Sequence, residues 1–349
     1  MIKNFVFSGG EMMGLCYIGV LKYLEEESLI LNIDNMLGIS IGAVFSALFC
    51  MRFNSEQMKK MALSIDIDHL SDSKNNNLFT FLETYGIDTG LNIEKFFKIV
   101  IKKKLGNENA TFKDLHDKFP IPKLLIGGSN INKNVLEIYS YETTPDMYLW
   151  EALRITTSIP ILFPSVKRKD NILVDGCILN NYPINYFKDD LEHTLGIILK
   201  RPDNCKEESL DTFDKYILTI LKHMIYSFQN YLETQFDANT IKLVADYCLF
   251  DMNFTNEVRT HLINSGYTQF KEQYENKYKK TSNSNITLET IDKTEIVSDK
   301  ELDKMIDDIQ SIISENNNDN SQSLENKCLQ NIISDCLQNL ENKNDENIN

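Results

Sequence analysis

Four things are scarce in this chain of 349 residues, and each scarcity excludes something. No apolar run reaches the roughly 18 residues that a membrane-spanning helix needs, so no spanning segment is expected. The seven cysteines, at 16, 50, 177, 205, 248, 328 and 336, are odd in number and contain no Cys-x-x-Cys spacing. That usage fits a reduced, intracellular protein, and it fits neither a disulfide frame nor a zinc site. The five histidines are equally dispersed, so no metal is expected. Basic residues are short: 36 Lys and Arg face 51 Asp and Glu, for a net charge of −15. Such a chain repels phosphate backbones, which argues against nucleic acid as a partner. It also argues against general attraction to anionic membranes, while leaving room for a local docking patch. The amino end, "MIKNFVFSGG", is too short in apolar residues for a signal-peptide core and reads as a first strand. The expected location is intracellular, either cytoplasmic or peripheral at membranes.

What remains is ordinary globular composition, 42% hydrophobic and 25% charged, with length enough for a large core. The acidity is uneven. Residues 301–349 hold 11 acids and 3 lysines, a net of −8. Along the chain, residues 2–7 form a short β-type run that stops at Ser8-Gly9-Gly10. Leu15, Ile18, Leu21 and Leu24 then recur at helical spacing. "NMLGIS" is a second short apolar run, followed by a helix from about Ile41 to Arg52. Strand, turn, helix, repeated, implies parallel strands joined by helical crossovers. Residues 54–118 read as helices and loops, including an amphipathic helix ended by Gly106. Two strands flank a turn at 132–134. "PDMYLWEALRITTSIP" reads as a helix opened by Pro145-Asp146, "NILVDGCILNNYPI" as a strand running into a glycine turn, and "TLGIILK" as a further strand. Residues 211–250 carry long helical patterns.

The expected organisation is a catalytic domain over 1–275, with a core at 5–200 and a helical cover at 205–275. An acidic, partly disordered tail with short amphipathic helices follows over 276–349. Two short amphipathic patterns in the tail, Met305-Ile309-Ile312 and Leu329 to Leu340, would suit coupled folding on a protein partner.

Three places carry chemistry. The turn "FSGGEMMG" lets the backbone approach a ligand and aims a helix N-terminus at it, or simply makes a tight strand–helix turn. Ser40 stands in Gly-x-Ser-x-Gly between Gly38 and Gly42. It is either a nucleophile on a strained strand-to-helix turn or a serine N-cap. Asp175-Gly176 follows the run Ile172-Leu173-Val174, where a buried carboxylate is costly unless hydrogen-bonded, though Asp is also a common turn residue. Taken together they read as an oxyanion loop, a nucleophile and a base that could transfer an acyl group from an ester to serine. His193, His223 and His261 all follow Asp175, so chain order leaves an α/β-hydrolase with a histidine base open.

In these residues the chain resembles the patatin-like phospholipases, in four blocks in order between about Phe5 and Tyr186. The blocks are "FSGGEMMGLCYIGVLKYLEE", "GISIGA", "PDMYLWEALRITTSIPILFP" and "LVDGCILNNYPI". The resemblance implies an α/β class protein with a three-layer α/β/α fold, a mainly parallel central sheet and a helical C-terminal extension. It further implies a metal-independent, cofactor-free lipid acyl hydrolase with Ser40 as nucleophile and Asp175 as base. Backbone N–H groups near Gly9, Gly10 and Glu11 would form the oxyanion hole. The partner would be a phospholipid or other acyl-ester lipid, met at a membrane surface by transient contact. Apolar residues such as Met12, Leu15, Ile39 and Leu162 would suit an acyl chain, and the helices from 211 to 275 would cover its channel or form a membrane-facing lid. The chain departs from the family pattern where Glu11 replaces a glycine, Met13 an arginine or lysine, and Cys177 a glycine. These changes leave a catalytically weak, lipid- or protein-binding relative as an alternative expectation.

Overall fold

In the computed structural model, residues 1–65, 84–202, 213–245, 255–278 and 298–315 are described. The amphipathic pattern at Leu329 to Leu340 lies outside them. Eight strands build one sheet: β1 (Asn4–Phe7), β2 (Asn35–Ile39), β3 (Lys123–Asn130), β4 (Val135–Tyr139), β5 (Val166–Arg168), β6 (Asn171–Asp175), β7 (Thr194–Lys200) and β8 (Thr240–Val244). The helices that bear on the site are α1 (Cys16–Glu26), α2 (Ile41–Cys50), α3 (Ser55–Ser64), α4 (Leu91–Leu105), α5 (Phe112–Lys118), α6 (Leu149–Thr156), the single turn α7 (Cys177–Asn180), α8 (Phe213–Gln235), α9 (Asn256–Tyr278) and α10 (Asp299–Glu315).

Alternation along the strands makes three layers. Phe5, Phe7, Met36, Leu124, Ile126, Ile197 and Leu199 face one core with α1, α2 and α9. Val6, Leu37, Leu125 and Ile198 face the other, with Tyr182, Ile184 and Leu232. A strand buried on both faces needs apolar residues of both parities, as short runs such as "NFVF" supply. The pairs β1–β2, β1–β7, β2–β3 and β7–β8 are parallel. The pairs β3–β4, β3–β6 and β5–β6 are antiparallel.

One junction in this sheet matters most. Residue 127 of β3 pairs with Ile39 on β2 and Ile138 on β4, while residue 128 pairs with Asp175 on β6 and Glu137 on β4. With β4 along one edge of β3, β2 and β6 must share the other. They run in opposite directions there, and their C-terminal ends meet.

Two parts of the chain differ from what local pattern suggests. Thr240–Val244 lies in a stretch of helical pattern but is a strand, with Ile241 and Leu243 fully buried beside β7. Sheet pairing overrides local preference at this position. The helix expected from Pro145-Asp146 begins at Leu149, because Tyr148 is held extended by a bridge to Thr111. The amphipathic pattern Met305-Ile309-Ile312, expected as a short helix within the tail, forms α10. Its Leu302, Met305, Ile306 and Ile309 are buried in the main core, and its rim carries ion pairs from Lys60 to Asp303 and from Lys103 to Glu301.

Candidate active site

Ser40 follows β2 directly, and Asp175 is the last residue of β6. The head-on meeting of these strands beside β3 therefore brings the two residues to one point, 135 positions apart in sequence. Ser40 sits at φ 52°, ψ −127°, a region sparsely occupied by residues with a side chain. Close packing holds it there. A Cβ on Gly42 would lie 2.5 Å from Phe7 O, and one on Gly38 2.4 Å from Ala43 Cα. The Ser40 side chain makes no N-cap bond, so the capping alternative is not the arrangement found.

Two residues at the end of α6 pin both backbones. The Thr156 hydroxyl accepts the Ser40 N–H at 2.9 Å and donates to Gly127 O at 2.6 Å. The Ser158 carbonyl accepts the Asp175 N–H at 2.9 Å. The Ser158 hydroxyl is itself held by Arg154 Nη1 at 2.6 Å. The sequence "RITTS" thus sets the register between Ser40 and Asp175. Only its membership of the third resemblance block pointed to that position.

Asp175 has no exposed surface. Its Oδ1 accepts the Cys177 N–H at 2.9 Å. Its Oδ2 is buried with no aligned hydrogen-bond partner among the described residues. Burial pushes the carboxyl up to about 7; the Cys177 N–H, the nearby Ser40 hydroxyl and the Cys177 thiol pull it down, and Glu11 pushes it further up. The Cys177 thiol is raised well above its ordinary value by burial and by the carboxylate beside it. A base poised near neutrality, next to a serine hydroxyl, is what general-base catalysis at pH 7 requires.

The glycine turn lies against the same point. A Cβ on Gly9 would stand 2.3 Å from Asn181 Oδ1 and 3.1 Å from Ser40 Cβ, so only glycine fits. Gly9 was expected as an oxyanion donor, but its N–H is already given to Asn181 O at 3.3 Å. Among the described residues the Gly10 N–H has no acceptor. Glu11 adopts φ 53°, the left-handed region that a glycine would occupy without strain. Asn181 joins the turn to α8, donating to Gly9 O at 3.2 Å and to Gln229 Oε1 at 2.5 Å.

Met13, where a cation was missing, is buried in the core. A cation comes instead from α8, where Lys222 Nζ stands 3.8 Å from Glu11 Oε1. Sequence reasoning did not find Lys222, because no local signal ties residue 222 to residue 11.

A cavity of about 40 Å³ lies at the site, lined by Gly9, Gly10, Glu11, Ser40, Ile159, Leu162, Cys177 and Asn181 on one side. Leu218, Leu221, Lys222, Ile225 and Tyr226 of α8 close the other. Beyond Glu11 lies an apolar cavity of about 150 Å³, whose walls include Met12, Leu15, Ile41, Val44, Leu48 and Met61. Of the expected acyl-chain residues, Leu162 therefore lines the first cavity, Met12 and Leu15 line the second, and Ile39 is core.

None of the three histidines lines the Ser40 cavity. His193 precedes β7 at the N-terminal edge of the sheet, the end away from Ser40, and contacts Asp190 at 2.6 Å. His223 and His261 are exposed on α8 and α9. A histidine base is therefore not assembled here. Gly176 is the remaining predicted site residue. It lies against β3, where a Cβ would meet Gly127 O at 2.7 Å.

The patatin-like phospholipase profile matches residues 5–188, more than half of the chain, so the chain belongs to the patatin-like phospholipase family. Among its relatives, the uncharacterized protein R571 of Acanthamoeba polyphaga mimivirus is 26% identical over 78% of this chain and 93% of its own length. A probable lipid hydrolase, 463L of Invertebrate iridescent virus 6, is 30% identical over 52% of this chain and 62% of its own. Among solved structures, VipD from Legionella pneumophila matches with a TM-score of 0.60 and 17% identity, over 79% of this chain and 67% of that one. The last likeness is one of fold.

Proposed function

We propose that this protein is a lipid acyl hydrolase of the phospholipase A type, working through a Ser40–Asp175 dyad. The single observation that carries this reading is the apposition of the strained Ser40 with the buried Asp175 carboxyl, held at about 7 where strand ends meet. Membership of the family and the relative named as a probable lipid hydrolase support it.

In the first half-reaction the Ser40 Oγ attacks the ester carbonyl carbon while its proton passes to Asp175. The resulting oxyanion takes hydrogen bonds from the N–H groups of Gly10 and Glu11 at the first turn of the glycine loop. Collapse breaks the bond to the alcohol, which leaves as lysolipid with the proton from Asp175, and the acyl group stays on Ser40. Water then gives its proton to Asp175 and attacks the acyl carbonyl. Collapse returns that proton to Ser40 and releases the fatty acid. The apolar cavity beyond Glu11 would hold the acyl chain. All the acid–base work falls on Asp175, so no metal and no histidine enters the scheme.

The test compares wild type with Ser40→Ala and Asp175→Asn on phospholipid vesicles and on a short soluble ester. Turnover should fall by at least about a thousandfold in both variants. A fluorophosphonate probe should label wild type and not Ser40→Ala. Labelling that persists would place the nucleophile elsewhere. The carboxylate of Glu11 beside the oxyanion position favours a second reading, a lipid-binding protein with little turnover. Lipid binding by a wild type that neither turns over nor reacts with the probe would establish it.

A further inference from the structure

The helix that closes the site has an unusual outer face. Tyr216, Ile220, Met224, Phe228 and Tyr231 of α8 are all exposed, Met224 at 66% and Tyr231 at 62%. They recur every three or four residues and so form one stripe along the helix. Fifteen large hydrophobic residues are exposed among the described residues, and this single helix carries five of them. The opposite face of the same helix supplies Leu218, Leu221, Lys222 and Ile225 to the Ser40 cavity. One helix thus separates the nucleophile from an exposed apolar band.

Charge points to what meets that band. From Lys215 to Leu232 the chain has two lysines, one histidine and no acid, although the whole protein carries −15. A stripe of aromatic and aliphatic side chains without carboxylates, in a protein this acidic, matches the headgroup–acyl boundary of a bilayer, and of the two lysines Lys222 turns inward to Glu11 while Lys215 precedes the stripe in sequence. No helix among the described residues is long and apolar enough to cross a membrane, so α8 would lie on a bilayer and not span it. The size of the Ser40 cavity, about 40 Å³, adds a reason for contact, because a diacyl lipid cannot enter while α8 is seated.

We propose that the outer face of α8 is the membrane-docking surface of this protein, and that seating its stripe in a bilayer draws α8 away from Ser40. This rests on the lipid-hydrolase reading for what the bilayer delivers, and on the stripe and its charge for the surface itself. Docking by a surface helix also reconciles a strongly acidic protein with a lipid substrate, since only this patch has to approach the membrane.

The experiment separates binding from chemistry. In the Ser40→Ala background, so that no lipid is consumed, the protein is sedimented with vesicles of phosphatidylcholine and phosphatidylserine. The same is done after Met224→Glu and Phe228→Glu together. The partition coefficient should fall by about tenfold or more in the double variant. With Ser40 present, the double variant should keep wild-type turnover of a short soluble ester while losing turnover of vesicle lipid. Circular dichroism checks that both proteins fold. Equal sedimentation of the two proteins, or no sedimentation of either, would overturn the docking surface without touching the dyad. A wild-type dimer that the two substitutions split, with no vesicle binding, would assign the stripe to a second copy of the chain and overturn it as well. Loss of soluble-ester turnover in Ser40→Ala with vesicle binding intact would leave both proposals standing.

Discussion

Asp175 is fully buried, and that burial holds its carboxyl at about 7 against an ordinary 3.8. Two consequences follow at the scale of this one residue. The first is kinetic. A general base works deprotonated, so kcat/KM on a soluble ester should rise with pH up to about 7 and level off above it. An acidic limb centred near 4 would exclude Asp175, in this environment, as the base. The second is thermodynamic. Because the folded value is raised, the neutral form's contribution to stability is complete below 3.8 and is lost as pH rises to about 7. Asp175→Asn keeps an oxygen for the Cys177 N–H and removes the ionisation. Denaturant unfolding at pH 8 should show it more stable than wild type by on the order of 2 kcal/mol, with a smaller gain at pH 5, while turnover is lost. Glu11 and Lys222 form the other residue-scale pair, 3.8 Å apart beside the glycine loop. Lys222→Met should lower kcat on the soluble ester by about tenfold, because the Glu11 carboxylate then opposes the developing oxyanion without a cation beside it. Adding Glu11→Gly should recover most of that loss, and a further fall would show that the carboxylate helps.

At the scale of elements, Ser40 is positioned by α6 as much as by its own turn. Thr156 bridges the Ser40 N–H and Gly127 O, and Ser158 accepts from Asp175 two residues later. Thr156→Val keeps the shape and removes both hydroxyl bonds. It should cost about 1–3 kcal/mol in unfolding free energy and reduce kcat more than it raises KM. An unchanged kcat would mean that the elbow holds its geometry without this bridge. The elements that the sequence made legible were those with a strong local signal. Apolar runs stopping at Gly-Gly or at Gly-x-Ser-x-Gly showed strand–turn–helix units, and Gly106 showed a helix end. Thr240–Val244 had no such signal, because what makes it a strand is the backbone of β7 beside it. The start of α6 departs from the Pro145-Asp146 signal for the same reason, since Tyr148 is held extended by Thr111.

On the scale of the whole molecule, α10 closes the core at the side of α4 and α3. Leu302, Met305, Ile306 and Ile309 leave almost no exposed surface there. Met305→Ala should therefore cost about 2–4 kcal/mol, read as a shift in the denaturant midpoint with an unchanged slope. A neutral result would mean that α10 does not hold its place in solution. Residues 301–349 are acidic overall, but composition averages over the few apolar positions that decide packing, and the Met305-Ile309-Ile312 pattern is the local signal that marks them. Lys60 and Lys103 offset part of that acidity where α10 meets the body.

By itself the sequence determined the strand–turn–helix units, the glycines at places where a Cβ would clash, and the two residues proposed for catalysis. Each of these leaves a mark within a few neighbouring residues, because backbone strain and close approach restrict which side chains fit. Only the tertiary structure decided that β2 and β6 end against each other on one edge of β3. It alone placed Lys222 beside Glu11, left the three histidines elsewhere, and turned one face of α8 to Ser40 and the other outward. Those facts depend on distances between residues far apart in the chain, and local pattern carries no information about them.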